Sequence, residues 1–422
     1  MSMHMSRSVR AGWRRLAVVL LVTAAASVAS GQPPSHPSLV SVTWADIVRL
    51  VDQLPRLTAE RSQVAAARGG VRAAGAVPNP TLKASVGHGR DQPGGNASVE
   101  WGLSLTIPLG WIARHRSRID AAEAEVDVAR AGVRATRREA LQHLGSLFWS
   151  LVHDQARIDA LAALRQQTAD LTRAVGMRVR SGEARPMELP RVELELEKVS
   201  GELEAARASL EGRQAQLAMW LGVPEGILIT AVADLGASPT PPDLATVRAW
   251  TRKHHPLLAA ARAQVRGLEA RLATQKLARV PPLGITGFTA HELDRRVYGV
   301  GLSLELPLWN WNSGRIARAS ARLAAGRKQL EAARLDLETS VIEAQTACRA
   351  GARLANRLRR MVLPRSRQTA ATIERMYLLG ETSLLEVIDA RRTLLDARRS
   401  YLGAMGQAQI DCSRLRAMVG KE

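Results

Sequence analysis

Aromatic residues make up only 3% of this 422-residue chain, three Tyr and two Phe beside nine Trp. A thick globular core is therefore not its organising feature. Recurrent Ala, Leu, Arg and Glu suit long, closely packed helices instead. Two cysteines, Cys348 and Cys412, exclude a disulfide-dense scaffold. No histidine grouping has zinc-ligand spacing: His254-His255 precedes Pro256 at a helix start, and His143 and His153 stand ten apart. Nucleophile motif, phosphate loop and redox pair are lacking, so the sequence predicts no enzyme, no cofactor and no metal site. Long apolar runs are lacking too. None beyond the N-terminus reaches the roughly 18 residues that a membrane helix needs.

Acidic residues are outnumbered, 39 against 59 Lys and Arg, for a net charge of +20. Arg7, Arg10, Arg14 and Arg15 belong to the leader. Arg14 and Arg15 precede the apolar run Leu16–Ala29, which predicts a secretory signal peptide over 1–29 with cleavage after Ala29. No cysteine sits near that point, so no lipid anchor is expected. The other arginines stand beside Glu and Asp on helical stretches. With no zinc-finger spacing and no aromatic-rich RNA-binding strand, they read as solvated helix faces, and no nucleic acid is expected. If the exported chain crosses a membrane, it must do so as a closed β-barrel.

One eight-residue stretch occurs twice. Residues 102–109 read Gly-Leu-Ser-Leu-Thr-Ile-Pro-Leu and residues 301–308 read Gly-Leu-Ser-Leu-Glu-Leu-Pro-Leu, identical at six positions. Val99, Trp101, Leu103, Leu105 and Ile107 alternate with Glu100, Gly102, Ser104 and Thr106. Tyr298, Val300, Leu302, Leu304 and Leu306 alternate in the same way with polar and small residues. This period of two predicts strands with one apolar face. Nine residues is about the length of a tilted transmembrane strand.

Each copy sits in the same order of elements. A spacer over 30–43 precedes the first repeat, 44–221. That repeat holds a helix from Trp44 to Ala76, a β-hairpin over 81–108, a long helix from Ile112 to about Val179, a tip near 182, and a return helix with Pro186 inside its start. A Pro- and Gly-rich joint spans 222–243. The second repeat, 244–422, holds a helix to Arg279, a hairpin over 283–307, a long helix from Asn312 to about Leu379, a tip near 380, and a last helix. Matching leg lengths predict antiparallel helices with four strands at one end. Four strands leave two open edges, which lipid does not tolerate. Three copies would close twelve strands, an even number as in bacterial outer-membrane barrels. The expected fold class is therefore mainly α with a transmembrane β-barrel portion, closing as a trimeric barrel and an α-helical tunnel.

The segment Tyr377-Leu378-Leu379-Gly380-Glu381-Thr382-Ser383-Leu384-Leu385-Glu386-Val387-Ile388-Asp389-Ala390-Arg391-Arg392 resembles the second hairpin tip of TolC-family outer-membrane efflux proteins. Gly182-Glu183-Ala184-Arg185-Pro186-Met187-Glu188-Leu189 is its counterpart in the first half. Pro78-Asn79-Pro80-Thr81-Leu82 and Leu306-Pro307-Leu308 resemble the family's strand-entry and strand-exit segments. The wording from Gly380 to Glu386 is similar to the branch serving cobalt-zinc-cadmium and copper-silver pumps. The resemblance implies a homotrimeric, passive exit duct in the outer membrane with a periplasmic tunnel. Its implied partners are a periplasmic adaptor, a proton-driven inner-membrane pump and outer-membrane lipid. Outlets of drug efflux or type I secretion share this pattern. An exported coiled-coil scaffold on anionic surfaces is the alternative of another class, and it leaves the paired strands unexplained.

Site expectations follow. Gly182 and Gly380 supply positive φ where the hairpins reverse. With Glu183 and Glu381 they mark the tips that the resemblance assigns to adaptor docking. Asp389 and Tyr377 match gate positions of the family that the chain resembles, and with Glu188 and Glu386 they are the expected periplasmic gate, where carboxylates repeated around a narrow opening would select cations. Thr382 stands where the family's best-known member carries a gate arginine, and Arg185 is the candidate substitute. Cys348 and Cys412 lie 32 residues on either side of Gly380, at one height on antiparallel helices. They are expected to be neighbours. A bond between them is left open, because packed axes stand about 8–10 Å apart and bridged Cα atoms lie within about 7 Å.

Overall fold

The computed structural model describes residues 38–90, 97–224, 226–237, 239–292 and 295–420. The expected signal peptide lies outside them. In chain order the elements are β1 (Ser38–Val42), α1 (Trp44–Val51), α2 (Pro55–Gly75), β2 (Thr81–Arg90), β3 (Ala97–Pro108), α3 (Ile112–Arg180), α4 (Glu188–Leu221) and β4 (Ile227–Ala231). There follow α5 (Leu244–His254), α6 (Pro256–Leu277), β5 (Leu283–Glu292), β6 (Arg295–Leu304), α7 (Ser313–Arg357), a π-helical turn (Leu358–Val362), α8 (Leu363–Leu378) and α9 (Leu384–Val419). They form two compact units, each drawing on both halves of the chain.

One unit comprises Ala59–Ala135 and Arg252–Leu337. Its sheet is antiparallel in the order β2-β3-β5-β6, so β3 pairs with β5 across the two halves. The register puts Leu82, Leu105, Gly287 and Val300 in one row, and Ala84, Leu103, Thr289 and Tyr298 in the next. The apolar side chains of these rows are exposed, Val300 at 80% and Tyr298 at 85%. On the opposite face the Thr106 and Thr286 hydroxyls hydrogen-bond at 2.9 Å. The supporting helices meet through small residues, as the Ala-rich composition suggests. A Cβ on Gly267 would lie 3.2 Å from Ala124 Cβ.

The other unit comprises the described residues 38–58, Thr136–Thr251 and 338–420. Its largest core gathers Ile47, Leu57, Leu141, Leu144, Phe148, Leu151, Leu217, Ile229 and Met405. A second cluster surrounds a disulfide between Cys348 and Cys412. Their Cα atoms stand 4.8 Å apart. The approach is that close because Gly351, one turn from Cys348, faces Ala408, one turn from Cys412. A Cβ on Gly351 would meet the Ala408 Cα at 3.2 Å. Small residues on both sides bring the axes together, which average helix spacing does not anticipate.

Several expected elements are subdivided. The first helix breaks between Val51 and Pro55, because Pro55 lacks an N–H and disfavours helix at the residue before it. Thr43 does cap α1, in a capping box with Asp46. The helix expected over 244–279 breaks in the same way before Pro256, where His255 accepts from the Leu257 N–H at 3.2 Å. The helix expected from Asn312 to Leu379 carries the π-turn, whose end is marked by Leu363 N–H bonding Leu358 O five residues back. Pro364 follows and cannot donate. Pro186 lies in the turn ahead of α4, which begins at Glu188. Within the expected spacer and joint, β1 and β4 pair in parallel with Ser38 opposite Ile227.

Candidate functional site

The two helix reversals are built alike. At the first, Glu183 N–H bonds Arg178 O and Gly182 N–H bonds Val179 O. At the second, Glu381 N–H bonds Met376 O and Gly380 N–H bonds Tyr377 O. Both follow the Schellman pattern, and the left-handed residues are Gly182 at φ 78° and Gly380 at φ 81°. Equivalent positions lie 198 residues apart, so the duplication read in the strands extends to these turns.

The two hairpins pack on one another. Leu171, Val175, Val192, Tyr377, Leu384, Val387 and Ile388 share a buried cluster behind the turns. Tyr377 is 4% exposed, and its hydroxyl donates to Glu188 Oε2 at 3.0 Å. Burial, then the bond to the Glu188 carboxylate, pushes the Tyr377 phenol up to about 12. Arg178 completes the group. Its Nη1 donates to Tyr377 O at 3.1 Å, its guanidinium lies 4.8 Å over the Tyr377 ring, and its Nε stands 3.7 Å from Glu183 Oε2. The arginine against the tyrosine is thus Arg178 and not Arg185, which is exposed. Arg178 precedes the first glycine by four residues, whereas Arg185 lies beyond the reversal.

Glu188 and Glu386 align along the sequence but do different work. Glu386 stays on its own helix, where its N–H bonds Ser383 Oγ at 3.4 Å and its carboxylate accepts from the Thr382 hydroxyl. That arrangement caps α9. Asp389 lines an open groove of about 280 Å³ with Arg365, Ser366, Thr369, Ile373 and Glu386. The four acidic and aromatic candidates therefore divide into a Tyr377–Glu188 contact between hairpins and a Glu386–Asp389 pair along α9. Among the described residues no group of three or more His, Cys, Asp or Glu side chains gathers as a metal site.

Three ion pairs tie the helices behind the turns. Arg391 bonds Glu374, Arg392 Nε bonds Glu195 Oε1 at 3.0 Å, and Arg399 Nη2 bonds Glu202 Oε2 at 2.6 Å. The Arg392 guanidinium holds the Glu195 carboxyl below its ordinary range. These contacts had a signal in the sequence. Glu195 and Glu202 are seven apart, as are Arg392 and Arg399, which is the charge spacing of coiled helices.

Comparison with known proteins agrees with this architecture. The chain is 26% identical over 370 residues to the cobalt-zinc-cadmium resistance protein CzcC of Cupriavidus metallidurans, covering 86% of each. Its fold is similar to that of CusC, with a TM-score of 0.78 at 16% identity over 94% of this chain and 96% of that one. It is also similar to the outer-membrane channel OprN, with a TM-score of 0.76 at 18% identity over 90% of both. The model of the family described as outer membrane efflux protein matches residues 47–223 and 250–421. The chain belongs to this outer-membrane efflux protein family.

Proposed function

We propose that three copies of this chain close a twelve-stranded barrel in the outer membrane, continued by an α-helical periplasmic tunnel. The single observation that carries this reading is the four-stranded sheet of the first unit. One face exposes apolar side chains from all four strands, among them Leu82, Leu105, Ile285 and Val300, and among the described residues β2 and β6 each have one strand neighbour. Water does not favour such a face, and lipid does not tolerate such edges. Closure with two further copies resolves both.

The assembled duct conducts passively, and energy comes from a proton-driven inner-membrane pump through a periplasmic adaptor. The adaptor docks at the reversals marked by Gly182, Glu183, Gly380 and Glu381. Glu188, Tyr377, Glu386 and Asp389 form the gate, with Arg178 as its arginine. Heavy-metal cations are the proposed substrates. The similarity to CzcC over most of both chains supports this choice, as do the carboxylates near the reversals.

Membrane fractionation tests the duct. A trimer extracted by detergent from the outer-membrane fraction is the expected result, and a soluble periplasmic monomer or dimer sinks it. The substrate is tested separately, by growth of a strain lacking the chain on zinc, cobalt and cadmium salts. Wild-type tolerance to all three, with hypersensitivity to hydrophobic drugs, would replace the metal reading with drug efflux.

A further inference from the structure

The excess positive charge has an address. Residues 61–90, 101–119, 270–291 and 306–330 contain no Asp or Glu and hold sixteen Lys and Arg. Setting aside the four leader arginines as well, the rest of the chain carries 39 residues of each sign. The first three acid-free segments span junctions between helix and strand, α2 into β2, β3 into α3 and α6 into β5, and the fourth runs from just past Glu305, at the end of β6, into α7.

The fold brings the four junctions side by side within one unit. Gly75 of α2 lies against Ile119 of α3. Thr274 Oγ1 of α6 bonds Ser117 Oγ of α3 at 2.9 Å. Asn312 Nδ2, just before α7, bonds Gln275 O of α6 at 2.8 Å. The basic residues at these helix ends thus form a collar directly beside the sheet. Arg68, Arg72, Arg315, Arg318 and Arg322 are exposed, and none has a carboxylate partner among the described residues. Arg315, Arg318 and Arg322 share one stripe on the first turns of α7 and line a groove with Arg271.

Helix stability does not account for this. Cations near a helix N-terminus oppose the macrodipole, yet α3 and α7 both begin without an acid and with arginines. Solubility would be served as well by mixed charge. Position offers the reason. Above the stripe the exposed side chains turn apolar, with Trp309 at 92%, Trp311 at 58% and then the sheet face. Tryptophans flanking an apolar band, with cations beyond them, match the order of layers at a membrane surface.

We infer that this collar binds the phosphate headgroups of anionic phospholipids in the leaflet from which the helices leave the barrel. The inference rests on the barrel reading proposed above. An arginine near an anionic surface is worth about fivefold in partition, and salt weakens it. The test uses the full chain purified in detergent, delipidated, and offered equal phosphatidylglycerol and phosphatidylcholine. Retained lipids are counted by native mass spectrometry, and conductance of the same particle is recorded in a planar bilayer.

The wild type should prefer phosphatidylglycerol. R315Q/R318Q/R322Q should lose at least about fivefold of that preference. R349Q/R353Q/R357Q, an equal loss of charge farther along α7, should keep it. Equal preference in the stripe variant and wild type overturns the inference, as does displacement by inorganic phosphate at the same concentration. So does a stripe variant that changes ion selectivity but not lipid retention, since the collar would then face the pore. Conductance without headgroup preference removes this inference alone, whereas absence of conductance removes the barrel reading with it.

Discussion

Tyr377 and Glu188 belong to different helical hairpins, and the phenol hydroxyl of one donates to the carboxylate of the other at 3.0 Å. A hydrogen bond to a charged acceptor in a mostly buried setting contributes about 1–3 kcal/mol. Y377F and E188Q should each weaken the contact between hairpins, raising the open probability of the reconstituted channel. The double variant should do little more than either alone, since both remove the same bond. Additive effects would show that the two residues act separately.

The same contact has a spectroscopic signature. Burial and the Glu188 carboxylate raise the Tyr377 phenol from 10.0 to about 12. The folded state then holds this proton more tightly than the unfolded chain does. The stability it contributes is complete below pH 10 and is lost as pH rises through about 12. The chain has three tyrosines, Tyr298, Tyr377 and Tyr401. Phenolate absorbance titrations of the wild type and Y377F should therefore differ by a step near pH 12.

The Cys348–Cys412 bond closes a sequence separation of 64 residues. The chain-entropy model gives such a loop about 4 kcal/mol of stabilisation. Alkylation of the denatured, unreduced protein should find no free thiol. C348A/C412A should lower the thermal midpoint of the unit, and prior reduction should have the same effect on the wild type. Two reactive thiols in the unreduced protein would exclude the bond.

The reversals can be strained one at a time. Gly182 and Gly380 have open space around an added Cβ, so a substitution meets backbone strain and no clash. G182A and G380A should each cost about 1–2 kcal/mol through the left-handed φ. Both should weaken adaptor capture by the same protein in a pull-down. G201A removes a glycine with equally open surroundings inside α4 and should leave capture unchanged.

Much of this was legible because it is periodic or duplicated. The alternation from Val99 to Ile107 predicted β3, and the repeated eight residues predicted β6. Gly182 and Gly380 marked both reversals because few residues other than glycine tolerate positive φ. Local patterns could not show pairings whose partners are distant. Ser38 meets Ile227 across 189 residues, and two five-residue strands give no alternation long enough to separate from loop. Arg178 was missed for a related reason. Its partner Tyr377 lies 199 residues away, and nothing around Arg178 distinguishes it from the many other arginines of α3. The interruptions before Pro55 and Pro256 were present in the sequence as prolines.

Adjacent residues of β3 provide the sharpest test of the sheet. Leu105 lies on the exposed apolar face, in a row with Leu82 and Val300, while Ser104 points to the opposite face beside Phe288 and Gly299. An arginine on the lipid face of a membrane barrel costs about 2–4 kcal/mol at mid-depth, whereas lumen positions tolerate charge. L105R should therefore reduce the trimer recovered from the outer-membrane fraction. S104R should assemble normally and alter conductance or ion selectivity instead. Equal assembly of both variants would mean that the apolar face does not meet lipid. Reversed effects would mean that the sheet closes with its apolar face inward. Strand alternation makes this a one-residue comparison, because a shift of one position exchanges every side chain between the two faces.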